Sequence, residues 1–291
     1  MPVWGILVVE ATIGFTYRRA PLTQHTLLVV LLLPVFVALG LGGLERPWAW
    51  LIAAVPGPAL VVGGPWVLHQ VLFWVVVALF HVVDTTDRPL FIARHRIQDG
   101  PGRMPSFGVA ARRVLVNQLV WAPLMLMLMG ALLYARGWAP SAVLPSVTTL
   151  ALEMVGLAVA AGVIFYTTHR FLHRPWWMRR VHSVHHEFTT SRAIASEYAH
   201  PVEFCIGNFG TLAGGIVLLA PSMLAILLFT CASITVILVH HAGYALPWAP
   251  WAIHHDWHHY RSREAFGTIG ILDRLLGTDP ELASLEHGDR R

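Results

Sequence analysis

Long apolar runs separated by short, strongly polar stretches dominate the chain, and a bilayer core of about 30 Å needs roughly 20 such residues in a helix. Leu22 to Gly43 is the first run of that length, with Pro34 placed to kink it. Trp48 to Gly64 is apolar but interrupted by Pro56-Gly57-Pro58, which predicts a shallow re-entrant piece or an ill-formed span. Trp66 to Val83, Val114 to Tyr134 and Val147 to Thr168 each read as a crossing. From Phe204 to Val239 the chain is apolar again with Pro221-Ser222 near the middle, so a helical hairpin that leaves and returns on one side is expected. The start of the chain carries Glu10 inside an apolar stretch and no basic residue before it. That fits a segment lying at the membrane surface, anchored by Trp4, better than a cleavable signal peptide.

Composition agrees: 56% of residues are hydrophobic and 12% charged, against about 25% charged in a soluble domain. All twenty basic residues are arginine. Six lie in 84–113, five in 169–202 and five in 240–291, whereas the loop 135–146 holds only Arg136. By the positive-inside rule the three rich segments face the cytoplasm. The net charge of +4 does not indicate a nucleic-acid partner, because the arginines flank apolar spans instead of forming one basic face. The two cysteines, Cys205 and Cys231, sit in apolar surroundings without C-x-x-C spacing, so neither a disulfide framework nor a zinc ribbon is expected.

The polar segments concentrate histidine: twelve of the seventeen lie between His169 and His259. Eight form the clusters His169-x-x-x-His173, His182-x-x-His185-His186 and His255-x-x-His258-His259. Residues three and four apart share a helix face, so each cluster is expected to point its imidazoles in one direction. Eight imidazoles exceed one tetrahedral zinc site and suit two five- or six-coordinate ions with open positions. His200 and His241 are further candidate ligands, with His240 and His254 weaker ones, and His69 and His81 read as structural or interfacial. Candidate carboxylates or amides behind the ligands are Asp256, Glu197, Glu203, Glu187 and Asn208. Asp273 is expected to pair with a nearby arginine. H-E-x-x-H is absent, which argues against a zincin protease.

With these motifs in this order, the chain resembles the fatty acid hydroxylase/sterol desaturase superfamily of membrane di-iron oxygenases. DTTDRPLFIARHRIQ (84–98), VLVNQ (114–118), FYTTHRFLHRP (165–175), VHSVHHEFTTSRAIASEYAHPVE (181–203), HAGYALPW (241–248), HHDWHH (254–259) and GILDRLLGTD (270–279) look like the branch holding sterol C-4 methyl oxidase and fatty acid hydroxylase domain-containing proteins. The resemblance covers roughly residues 66 to 280. It implies metal ligands at His169, His173, His182, His185, His186, His255, His258 and His259, with His200 and His241 at recurrent family positions. It also implies two iron ions, O2, and electrons from NAD(P)H through a separate reductase and a b-type cytochrome. Relatives often carry an acid six or seven positions before the first cluster; here that stretch is Ala160 to Phe165, and the nearest acid is Glu153.

The expectation is therefore an all-α, multi-pass membrane bundle with a cytoplasmic histidine-rich helical cap. It divides into an N-terminal membrane region (1–65) and a membrane and cap domain (66–291). Its activity would be oxidation of lipid C–H bonds, sterol C-4 methyl groups first, with fatty acyl, sphingoid or ether lipids as the alternative. An apolar tunnel with Trp176, Trp177, Tyr198 and Tyr244 near its mouth would serve, although those aromatics equally suit an interfacial belt. The location would be the endoplasmic reticulum in a eukaryote or the inner membrane in a bacterium. A non-catalytic metal-binding membrane protein is the rival from another class; a metal transporter would instead place its polar residues within the spans.

Overall fold

The computed structural model describes residues 43–280 except Asp99, Pro101 and Pro250. The surface segment expected at the start, and the Leu22–Gly43 run up to its last residue, lie outside them. Helix α1 (Glu45–Ala54) stops at Val55, which precedes a proline and takes an extended backbone. Pro58 sits in the first turn of the next helix, where a missing N–H costs nothing. The Pro-Gly-Pro break therefore falls where the sequence puts it. The residues after the break form no separate piece, because α2 (Gly57–Thr86) continues as one helix of 30 residues through Pro65.

The short α3 (Leu90–Ala93) leads to α4 (Phe107–Val116), which runs through a π-helical turn (Asn117–Trp121) into α5 (Ala122–Ala135). Next come α6 (Val147–Leu172), the short α7 (Pro175–Arg180), and two 3-10 turns (His182–Glu187 and Ala193–Glu197). The one-turn α8 (Pro201–Glu203) passes through a second π-helical turn (Phe204–Phe209) into α9 (Gly210–Leu219). The last helices are α10 (Met223–His240), α11 (Ala252–Arg261) and α12 (Ile271–Leu275). Among the described residues there is no strand, only isolated bridges such as Arg96 with Tyr244.

Among the described residues, five helical stretches are long and apolar enough to cross a bilayer: 57–86, 107–135, 147–172, 201–219 and 223–240. Their outer faces are apolar too. Val67, Val71, Val75, Leu79 and Val82 form an exposed stripe along α2, which water would oppose and lipid tails accept. The chain is an integral membrane protein.

The hairpin is present. Ala220 turns the chain with a left-handed backbone (φ 48°), and the Ser222 hydroxyl accepts the Ala225 N–H to cap α10. Glu153 on α6 accepts the Ser222 N–H at 2.8 Å and its hydroxyl at 2.6 Å, fixing the hairpin tip. Trp138 donates to the Pro221 carbonyl at 2.7 Å and Trp48 to that of Ser141 at 3.0 Å. All of these lie at the end of the bundle away from His169, a separation of about 24 Å along α6 at 1.5 Å per residue.

Helix α9 packs against α6, and α10 against α2. The close approach of the first pair is made by Gly214 and Gly215. A Cβ on Gly214 would stand 2.7 Å from Ile164 Cδ1, and one on Gly215 3.1 Å from Ala160 Cβ. Gly210, the other half of the G-x-x-x-G pattern, meets only the Cys205 carbonyl of its own turn. Gly215→Leu is expected to destabilise the protein by about 1–3 kcal/mol through overpacking, whereas Gly210→Ala stays close to wild type. Thermal unfolding in detergent checks both.

Candidate metal centre

Among the described residues, nine imidazoles converge at one end of the bundle, in two adjoining nests. His169, His173, His182, His186 and His258 form one; His185, His241, His255 and His259 form the other, and within each nest the nitrogens lie within 4.8 Å of one another. All except the half-buried His173 are buried. The clusters do not each face one way, as helical spacing alone suggests. In each H-x-x-H-H motif the first and last histidines share a nest and the middle one joins the other: His182 and His186 against His185, and His255 and His259 against His258. The second cluster also lies on a 3-10 turn and not on an α-helix.

Most outward nitrogens have hydrogen-bond partners, the buried His255 Nδ1 excepted. His169 Nδ1 donates to the Phe266 carbonyl at 2.7 Å, His258 to Glu264 at 2.7 Å, and His259 to Phe188 at 2.8 Å. His241 donates to Ile237 at 2.8 Å and His185 to Tyr198 at 3.2 Å. Glu203 holds His182 Nδ1 at 2.8 Å, and the Ser262 hydroxyl holds His186 Nδ1 at 3.0 Å. A carbonyl cannot donate, so in the five rings facing one the proton stays on Nδ1 and the inward Nε2 is a bare lone pair.

Those inward nitrogens crowd together. Nε2 to Nε2 separations are 2.9–3.2 Å around His182, His173, His258 and His186, and 2.7–3.4 Å along His255, His259, His241 and His185. His185 and His241 thus aim lone pair at lone pair at 3.4 Å, which is no hydrogen bond. His169 Nε2 is buried with no partner. Two imidazole nitrogens each about 2.1 Å from one ion stand about 3.0 Å apart at a right angle and about 3.4 Å at the tetrahedral angle. The donor set therefore fits a cation at the middle of each nest.

Burial disfavours protonated rings in the cation's place. Burial, then the neighbouring imidazoles, lowers the pKa of His173 from 6.5 to about 2. Burial, then His169, brings His185 down to about 4. Burial first and adjacent rings second also lower His182, His186, His241, His255 and His258.

The remaining candidates are placed as follows. His200 joins neither nest; its Nδ1 accepts the Val202 N–H at 3.2 Å and caps α8. Glu203 alone among the proposed carboxylates touches a nest ring. Asp256 accepts from Gln98 at 2.7 Å and from the Ser191 N–H at 3.3 Å, tying α11 to two loops. Glu197 pairs with His69 at 2.5 Å, and Asn208 donates to the Ser196 carbonyl at 2.8 Å. Glu187 accepts from Tyr198 at 2.6 Å. Asp273 meets His254 at 3.1 Å and the N–H groups of Phe266 and Gly267, not an arginine. In that role it shapes the loop whose carbonyl holds His169. Tyr198 and Tyr244 are buried core residues, and Trp176 is exposed. Sequence reasoning gave little weight to His240, which is buried and stacked 4.3 Å from His255. Its signal was a polar residue at the end of an apolar span.

Beside the nests is a void of about 20 Å3, bordered among others by His169, His185, His255 and Asn208. It adjoins a largely apolar cavity of about 490 Å3 between the spans; Phe165, Gly207, Asn208 and Ile237 line both. Val163 and Gly162, the positions six and seven before His169, line the larger cavity, and so does Glu197.

The unfolded chain takes up protons below the ordinary imidazole value of 6.5, while buried His185 resists them down to about 4. Stability therefore falls as pH drops through that window. The unfolding midpoint of metal-free protein in detergent is expected to decrease from about pH 7 down to about pH 4 and to level off at higher pH. Scanning calorimetry across that range checks it.

Comparison with known proteins agrees with this architecture. The family model described as fatty acid hydroxylase matches residues 154–278. The chain is 33% identical to human fatty acid hydroxylase domain-containing protein 2 over 71% of its length, spanning 63% of that relative. It is 28% identical to methylsterol monooxygenase 2-2 of Arabidopsis thaliana, over 85% of this chain and 97% of the relative. It is 31% identical to a very-long-chain aldehyde decarbonylase of Oryza sativa subsp. indica, over 65% of this chain and 75% of the relative. No solved structure matches. Helical architecture, converging histidines and these similarities together assign the chain to the fatty acid hydroxylase/sterol desaturase superfamily.

Proposed function

We propose that the nine imidazoles hold two iron ions and that the protein is an O2-dependent monooxygenase acting on a C–H bond of a membrane lipid. The observation that carries this reading is the common wall of nest and cavity: Phe165, Gly207, Asn208 and Ile237 border both the void beside the histidines and the apolar cavity. A lipid lying between the spans can present a carbon to the nest without passing through water. The volume of about 490 Å3 falls in the range of about 300–1,000 Å3 usual for small-molecule sites.

His169, His173, His182, His186 and His258 would hold one ion; His185, His241, His255 and His259 would hold the other. Iron there supplies the oxidising power for C–H cleavage by O2, one oxygen atom entering the lipid as a hydroxyl and the other leaving as water, with two electrons and two protons drawn from outside. Carbonyls and Glu203 fix the ring orientations, and the apolar walls keep bulk water from the reacting carbon. Electrons come from NAD(P)H through a separate reductase with a b-type cytochrome as carrier. The histidine end faces the cytoplasm, in line with the arginine distribution. Sterol C-4 methyl groups are the first substrate, supported by similarity to a methylsterol monooxygenase; fatty acyl, sphingoid or ether lipids are the alternative.

Purified protein is expected to contain about two irons per chain, as in other di-iron helical proteins. His185→Ala and His258→Ala, each opening one nest, are expected to lower bound iron and turnover by about 100-fold or more. His200→Ala is expected to keep its iron and to cost about 1 kcal/mol as a lost cap. Iron analysis with lipid product profiling checks all three. Protein that holds only zinc and converts no lipid, given donor and oxygen, overturns the reading.

A further inference from the structure

The apolar cavity carries one polar cluster that the metal nests do not use. Glu197 on the second 3-10 turn and His69 on α2 both line it. His69 Nε2 lies 2.5 Å from Glu197 Oε1, and Gln118 donates to Oε2 at 2.7 Å. Trp74 donates to Gln118 Oε1 at 2.9 Å, and Asn117 donates to the carbonyls of Glu197 and Ala199. Two spans and a π-helical turn thus hold one carboxylate at the wall of a lipid-sized space. Such turns recur at functional sites, and polar groups at membrane depth are costly enough to need a use.

We infer that Glu197, set by His69 and Gln118, is the docking site for the hydroxyl group of a lipid alcohol, and that it directs oxidation to a carbon close to that hydroxyl. The inference rests on the oxygenase reading for its second half only. An ionised carboxylate is acceptor-only, with about four lone-pair sites; the two donors described here leave capacity for an O–H. It offers nothing to an ether or a hydrocarbon and repels a fatty-acid carboxylate. Position is set by chain neighbours: Ser196 borders the void at the nest, and the Tyr198 carbonyl holds His185. Glu197 sits between them, and adjacent Cα atoms are about 3.8 Å apart. The anchor and the nest therefore occupy the same end of the cavity, so the bound hydroxyl and the oxidised carbon are near neighbours in the substrate.

The test uses the full-length, metal-loaded protein in detergent with two ligand pairs: a 4,4-dimethyl-3-hydroxysterol and its 3-deoxy counterpart, and octadecanol with octadecane. Wild type is expected to bind the alcohol of at least one pair about tenfold or more tighter, the worth of one buried charge-assisted hydrogen bond, and to disfavour octadecanoate. Which pair responds tells a sterol from a straight-chain alcohol. Glu197→Gln and His69→Phe are expected to erase most of the preference while metal content stays at the wild-type level. Equal binding of alcohol and deoxy partner by wild type overturns the inference, and so does an undiminished preference in both variants. Absence of oxidised product when a chemical reductant and O2 are supplied, with the preference intact, overturns the oxygenase reading and leaves the docking site standing. Oxidation of a bound alcohol at its far end overturns the directing role.

Discussion

Bare imidazole nitrogens turned toward one another in a buried space are the constraint around which this protein is built. Each Nδ1 bonded to a carbonyl commits its ring to a lone pair facing inward, and burial keeps those rings from taking up protons. A chain that folds this way accumulates electrostatic cost at one place, and a bound cation would relieve it. The surrounding structure is the means of sustaining that arrangement.

The means are distributed across the sequence. Acceptors for the rings come from Phe188, Tyr198, Ile237, Glu264 and Phe266, four of them in loops or turns whose shape depends on other contacts. Asp273 shows the dependence. Burial by itself would raise its carboxyl, but bonds from His254, Thr278 and Gly267 hold it below the ordinary value, and it fixes the backbone at Phe266. Asp256 does the same for the loops at Ser191 and Gln98. Carboxylates here act mainly on backbone and amide groups, and among the described residues only Glu203 bonds a nest ring. Glu153, the nearest acid before the first cluster, serves the hairpin tip at the other end of the bundle.

The membrane spans contribute a cavity as well as an anchor in lipid. Small residues on α6 and α9 let those helices approach closely at Gly214 and Gly215, while π-helical turns at Asn117–Trp121 and Phe204–Phe209 leave Ala122, Gly207 and Asn208 at the cavity wall. The space is lined mainly by apolar side chains, and its ionisable residues, His69 and Glu197, lie toward the nests. That gradient suits an amphipathic lipid, tail among the spans and head toward the histidines.

Hydropathy runs by themselves determined the all-α class and the hairpin, because a span must satisfy its own backbone hydrogen bonds and cover itself in apolar side chains whatever its neighbours. Histidine spacing likewise determined eight of the nine nest residues, and His241 was legible from its place where the hairpin returns. Tertiary structure decided how those residues are shared. The i, i+4 pairs stay together and the i+3 residues cross to the other nest. It also decided that His200 is a cap, that Tyr198 and Tyr244 are core, and that Glu197 meets His69, 128 residues away. Contacts over that separation depend on how helices pack, and no local pattern along the chain encodes them.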